Sequence, residues 1–195
     1  DKLLFIGAGF FGIQKFIFAS GGSTNKAAAK ILRGRSFYVS LLSELVADMI
    51  LRETGLPITS LIFNAAGQAT ILAPNLPRVR ESVEKVKRQV NDWLINCFYG
   101  QTSLGVACVP VSQQAIGQEY RKVLNKLGRA MERQKYQKFD ISRLGGVQKQ
   151  FFERFDDNFG ICPFCGQRPA TDRFDDDQEG STICGICHDQ LDLGK

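Results

Sequence analysis

Residues 3–12 read Leu3-Leu4-Phe5-Ile6-Gly7-Ala8-Gly9-Phe10-Phe11-Gly12, an apolar run that closes on a literal G-x-G-x-x-G. Two folds compete for it. A dinucleotide-binding domain wants a long helix behind the glycines, a second strand, and an acidic residue about 20 positions on. That context is missing: the first acid after Asp1 is Glu44, and Phe18 leads into Ala19-Ser-Gly-Gly-Ser-Thr-Asn25, a flexible loop. The run is therefore read as a strand over 3–8 followed by a short helix over 12–18. Its glycines either make a tight strand-to-helix turn or let the backbone amides of Gly9 to Lys15 approach a phosphate.

Working outward, 26–53 is expected to be helical, with Phe37, Leu41, Leu45 and Met49 on one stripe and Tyr38, Leu42, Val46 and Ile50 beside it. Gly55 and Pro57 end it. Short apolar runs at 60–64 and 68–73, joined through Ala65-Ala66-Gly67, predict a hairpin. Pro77 opens a second long helix to about Phe98, on which Val79, Val83, Val86, Val90, Trp93, Leu94 and Cys97 recur every three or four residues. Residues 104–111 supply a fourth strand. The order β-α-β-β-α-β predicts an α+β, ferredoxin-like fold, with two helices on one face of a four-stranded antiparallel sheet. The palm of polymerases and nucleotidyl cyclases has this core, although a fold alone implies no activity. The expected division is a palm at 1–111, a basic helical linker at 112–154 carrying a third helix over about 112–139, and a cysteine module at 155–195.

Composition fits such a body. The chain has 195 residues, 44% of them hydrophobic, and its charges are mixed, which excludes a disordered chain. Its longest uncharged apolar run, 3–13, is too short for a spanning helix of about 20 residues, so no membrane segment is expected. It begins at Asp1 without a charged-then-apolar leader, and is expected to be an excerpt of a longer protein. The net charge of +5 is uneven: from Ile161 onward three basic residues face seven acidic ones, leaving 22 basic and 13 acidic residues before it. Such asymmetry suits a polyanionic partner for the first part, or a solvated basic surface. The basic residues fall into two groups, Lys26, Lys30, Arg33 and Arg35, and then Arg121, Lys122, Lys126, Arg129 and Arg133 on the third helix. Tyr120, Tyr136 and Phe139 are thin aromatic interleaving for a base-stacking platform.

Four of the six cysteines carry the strongest chemical signal. Cys162-Pro-Phe-Cys165, eighteen residues and Cys184-Gly-Ile-Cys187 make C-x2-C-x18-C-x2-C. Two residues between paired thiols let both sulfurs reach one tetrahedral cation, and the separation of the pairs suits a structural zinc site. Four thiolates leave no open position for water, so the expected Zn2+ is structural rather than catalytic. A disulfide framework belongs to small secreted modules and fits the remaining residues poorly. His188, the lone histidine, is read as a surface residue, Asp175 to Asp177 as an exposed acidic loop, and Cys97 and Cys108 as buried, inert thiols.

With those residues in hand, Gly12-Ile-Gln-Lys-Phe-Ile-Phe18, Leu32-Arg-Gly-Arg-Ser-Phe37, the hairpin with Asn64-Ala-Ala-Gly67 and the two-pair cysteine module together resemble the large subunit of type III CRISPR effector complexes, the Csm (III-A) branch best. The resemblance covers nearly the whole chain. It implies a full protein with an HD nuclease domain acting on single-stranded DNA, two palms, a zinc-bearing domain and a C-terminal helical domain, of which this chain resembles the first palm and the zinc-bearing part. By the same resemblance, two ATP molecules bind with Mg2+ or Mn2+ where the palms face each other and become cyclic oligoadenylates when target RNA binds. The implied partners are CRISPR RNA, target RNA, the second palm and other effector subunits, in the cytoplasm.

Phosphoryl transfer needs carboxylates that hold divalent cations against the triphosphate. Family members commonly read Gly-Asp-x-Ser-Gly-Ile-Gln where this sequence has Ala8-Gly9-Phe10-Phe11-Gly12-Ile13-Gln14, and the hairpin offers Asn64, Ala65, Ala66, Gly67 and Gln68. No catalytic residue is therefore expected in this chain, while Gly9, Gly12, Ile13, Gln14 and Lys15 are the candidate nucleotide contacts. The competing expectations are a zinc-containing nucleic-acid-binding module without nucleotide chemistry and a self-contained cyclase, the latter opposed by the missing acids.

Overall fold

The computed structural model describes residues 1–19, 27–140, 158–173 and 182–195. They form two compact units. Asp1–Gly12 with Val39–Asp140 makes the first, and Ile13–Tyr38 with Ile141–Lys195 the second.

The first unit is built on a mixed four-stranded sheet-and-helix body. Strands β1 (Leu3–Phe11), β2 (Leu61–Ala65), β3 (Gln68–Pro74) and β4 (Ser103–Val111) lie in the order β2-β3-β1-β4, every neighbouring pair antiparallel. The hairpin turn places Ala66 and Gly67 at φ of 52° and 77°, as a two-residue turn matched to strand twist requires. Seven consecutive residues at the centre of β1 are buried, because both faces of that strand are covered. Helix α3 (Pro77–Phe98) buries Val79, Val83, Val86, Val90 and Leu94. Its buried Asn91 donates to the Leu104 carbonyl at 2.9 Å and accepts from the Leu104 amide at 2.8 Å, which fixes α3 against β4. On the other face Phe5, Ala107, Val109 and Val111 meet Val123 and Leu127. The latter two belong to α5 (Tyr120–Gln134), which follows the short α4 (Gln113–Gln118). A single helix over 112–139 was expected; Glu119, at φ −132° and ψ 31°, breaks it in two.

Helix α2 (Ala28–Thr54) contributes to both units. Its buried face runs Val39, Ser43, Val46, Ala47, Ile50 and Leu51. Of the stripes expected from periodicity, the one through Val46 and Ile50 is inside, whereas Phe37, Leu41 and Leu45 are exposed. The physical reason is that both stripes repeat every four residues, so spacing alone cannot say which one meets the core. Trp93 of α3 likewise stands 40% exposed, edge-on to Phe98 at 5.6 Å.

In the second unit, α1 (Ile13–Ile17) and the first part of α2 join the cysteine segments. Strands β5 (Asp172–Arg173) and β6 (Thr182–Ile183) pair antiparallel, and helix α6 (Gly185–Leu193) follows. None of the described helices is long and apolar enough to cross a membrane.

Candidate metal centre and candidate nucleotide segment

The four expected ligands converge. The Sγ atoms of Cys162, Cys165, Cys184 and Cys187 all lie within 4.8 Å of one another, and all four residues are buried. Tight turns deliver them: the Gly166 amide donates to the Cys162 carbonyl at 2.8 Å, and Gly166 sits at φ 65°. Cys184 stands at the N-terminal cap of α6, so Cys187 projects from its first turn. A tetrahedral ion with metal–sulfur bonds near 2.3 Å would set its sulfurs about 3.8 Å apart. Cys165 Sγ and Cys184 Sγ are separated by 4.0 Å, so the donor set fits a thiophilic divalent cation. With protons in place of a metal, the hydrogen bond from Cys162 draws Cys165 down, and the same neighbour is the main cause that takes Cys184 to about 6. Cys162 and Cys187 are pushed up in exchange, by hydrogen bonding to Cys165 and Cys162 respectively. Metal binding replaces those protons, since a ligating thiol is a thiolate.

Two arginines surround this centre. Arg168, 6% exposed, donates from Nε to Cys184 Sγ at 3.2 Å and from Nη2 to Cys187 Sγ at 3.5 Å. Burial opposes its charge, but the negative charge at Cys184 and Cys165 and the hydrogen bond to Cys184 outweigh that and push its pKa up. Arg35, expected on a basic surface, is instead 3% exposed. Its Nη2 donates to the Phe164 carbonyl between the first two cysteines at 2.8 Å, its Nε to Gln190 Oε1 at 3.1 Å, and its Nη1 to the carbonyls of Ile17, at 3.1 Å, and Ala19. Arg33 uses Nε and Nη2 on the Gly194 carbonyl at 3.2 and 3.0 Å. A side chain at Gly34 would collide with the Gln190 carbonyl, so the Leu32-to-Phe37 stretch is shaped for docking against α6. Sequence reasoning missed this, because a buried, saturated arginine and a surface arginine are the same letter. Lys30 is half-buried, and Lys26 lies outside the described residues, as do Asp175, Asp176 and Asp177. His188 is exposed, its Nδ1 3.5 Å from Asp192.

The candidate nucleotide segment divides by role. Strand register sets Gly9 opposite Gln68 and Ala8 opposite Ala69, which brings the end of β1 beside the hairpin. No carboxylate stands on either piece. Gly12, at φ 85°, has no room for a side chain because the Gln101 carbonyl occupies that space. A Cβ at Gly9 would lie 3.2 Å from the Met131 methyl, and one at Gly7 3.1 Å from Leu127 Cδ1. These glycines let α5 lie close to the sheet. Ile13 is half-buried, while Gln14 and Lys15 are exposed on α1.

Of the basic residues on the third helix, Lys122, Lys126, Arg129 and Arg133 line one cavity of about 570 Å³ along β4, together with Cys108, Val109 and Pro110. Arg121 is exposed but does not line it. Lys122 also pairs with Glu119 at 2.6 Å. Cys97 and Cys108 are half-buried rather than buried; burial still pushes the Cys108 thiol up to about 11, with Arg80 and Lys87 opposing and Glu84 assisting.

The family profile described as Csm1 subunit domain B matches residues 2–156. A curated relative from Thermococcus onnurineus, named CRISPR system single-strand-specific deoxyribonuclease Cas10/Csm1 (subtype III-A), is 29% identical over 99% of this chain and 25% of its own length. The relative of the same name from Mycobacterium tuberculosis is 30% identical over 91% of this chain and 20% of its own. The chain thus spans a quarter or less of these relatives. Among solved structures, a chain of the Csm1-Csm4 cassette in complex with cA4 matches 77% of this chain and 20% of its own length at 27% identity and a TM-score of 0.63. The cassette in complex with one ATP matches with the same values.

Proposed function

The chain belongs to the Csm1 domain B family, and from that premise we propose that it is the portion of a type III-A CRISPR large subunit that supplies a carboxylate-free half of an ATP site for cyclic oligoadenylate synthesis. The likeness over 77% of the chain to a Csm1-Csm4 cassette holding one ATP carries this reading. The order β2-β3-β1-β4 supports a ferredoxin-like, palm-type sheet, since its central strands put the end of β1 beside the hairpin. In a catalytic palm those places hold the acids that bind Mg2+ or Mn2+. Here they carry Ala8, Gly9, Phe10 and Phe11 against Asn64 and Gln68, and Asn64 Oδ1 is engaged by the Ser43 hydroxyl at 2.8 Å. The acids therefore come from a second palm outside this chain. Its own residues bind and position: Gln14 and Lys15 offer an amide and a cation to nucleotide oxygens, Ile13 adds apolar contact, and Gly9 and Gly12 set the course of the backbone.

The four thiolates hold a structural Zn2+, which supplies folding energy rather than chemistry. The basic cavity beside β4, together with Arg121 and Lys30, contributes to assembly with CRISPR RNA, target RNA or another effector subunit in the cytoplasm. That cavity also favours the second reading, a zinc-containing nucleic-acid-binding module without a nucleotide role. The division at 1–111, 112–154 and 155–195 is kept as a description of sequence regions, with residues 13–38 assigned to support the last. Incubating ATP and Mn2+ with this chain alone and with the full-length subunit separates the readings. Cyclic product from the full-length subunit alone is expected. Product from this chain by itself would overturn the carboxylate-free assignment, and a full-length subunit that binds RNA but neither binds nor converts ATP would favour the module.

A further inference from the structure

We infer that Arg168 is a positioning residue of the metal centre, a built-in counter-cation whose fork orients the second cysteine pair and slows metal loss from that side. The inference rests on the metal reading above. A divalent cation with four thiolates carries a net charge of −2, and burying that charge uncompensated is costly. All four cysteines are buried, and the group placed against them is a guanidinium that is itself 6% exposed. Its planar fork suits the task better than a point charge, because Nε and Nη2 leave in adjacent directions and reach two different sulfurs, Cys184 at 3.2 Å and Cys187 at 3.5 Å. The backbone fixes the fork in place. The Arg168 carbonyl accepts from the Cys162 amide at 2.8 Å, and the neighbouring Pro169 forms a bridge with Ile161. Arg168 is thus tied by its main chain to the first cysteine pair and by its side chain to the second. Partners that orient metal ligands in this way typically change metal affinity by about 10–100-fold when removed. An N–H donor on a thiolate also withdraws the sulfur lone pair that an electrophile would attack.

The test uses the full-length subunit with Arg168→Gln, loaded with Co2+, whose thiolate charge-transfer absorption reports the centre directly. Weakening of Co2+ retention against a chelator by about 10–100-fold is expected. Peptide-resolved alkylation of the loaded protein should quicken at Cys184 and Cys187 and not at Cys162 and Cys165. Unchanged retention, or equal quickening at all four, would overturn the inference, since a general loosening of the fold has no reason to select one pair. If Arg168→Gln does not fold, Arg168→Lys carries the test: it keeps the charge and loses the fork, so an intermediate loss of Co2+ with the same selectivity supports the assignment, and uniform labelling rejects it. Absence of any Co2+ spectrum in the unaltered subunit would instead reject the four-thiolate metal site itself.

Discussion

The first unit buries a long list of aliphatic and aromatic side chains, among them Leu4, Phe5, Ile6, Val79, Val83, Leu94 and Leu104, with β1 covered on both faces. Among the described residues the second has a cluster of ten buried ones, and four of them are the cysteines, alongside Ala27, Ile31, Phe164, Ala170, Ile183 and Leu191. Burial of apolar surface stabilises the first by about 25 cal/mol per Å2 removed from water. The second gives four of its ten described core positions to the candidate metal ligands, and small bodies rely on a metal or other staple. Its polar groups do the rest: Arg35, Arg33 and Arg168 spend their guanidinium donors on backbone carbonyls, Gln190 and sulfur. One unit should therefore answer to lost hydrophobic volume, and the other to lost metal and lost donors.

Removing the metal gives the largest expected effect. Structural zinc sites contribute an apparent 10–16 kcal/mol at about pH 7. Chelation, or Cys165→Ala, is expected to abolish amide-exchange protection in α6 and around residues 162–173, while the amides of β1 to β4 keep theirs. Loss of sheet protection at the same chelator concentration would show one cooperative body and break the comparison. Arg35→Met comes next. It takes the guanidinium donor from four buried or half-buried acceptors, and a buried acceptor that loses its donor costs about 1–3 kcal/mol. Exchange should quicken at Ile17, Ala19 and Phe164 with metal content unchanged, and unaltered exchange there would reject the role of this arginine. The smallest effect falls on the first unit. Leu127→Ala, a truncation beneath α5, is expected to cost about 2–5 kcal/mol in urea unfolding of the sheet and nothing in Co2+ spectra.

Much of the first unit was legible because its determinants are local. The breaks at Gly55 and Pro57, the Ala66-Gly67 turn and the Val79-to-Leu94 stripe each act within a few residues, and strands and helices fall where those signals put them. The cysteines were legible for a related reason: two-residue spacing is a chemical requirement that survives any path of the chain between the pairs. Three features were not. The split at Glu119 falls two residues after Gly117, a glycine that lies within α4 and is in itself no more a stop signal than Gly128 within α5. The stripe through Phe37, Leu41 and Leu45 obeys the helical period as well as the buried one does. The enlistment of Arg33 and Arg35 by residues more than 120 positions away depends on tertiary approach, which charge patterning along the chain cannot register. The glycines of the opening run sit between these cases, since their spacing is visible while their use in admitting α5 is not.

The central claim is that the exposed polar residues of α1 hold nucleotide in a subunit whose catalytic acids lie elsewhere. Equilibrium ATP binding to the full-length subunit carrying Gln14→Ala and Lys15→Ala tests it most directly, with Co2+ spectra confirming an intact metal centre. A loss of affinity of about tenfold or more is expected, equivalent to about 1.4 kcal/mol. Affinity equal to that of the unaltered subunit would contradict the claim.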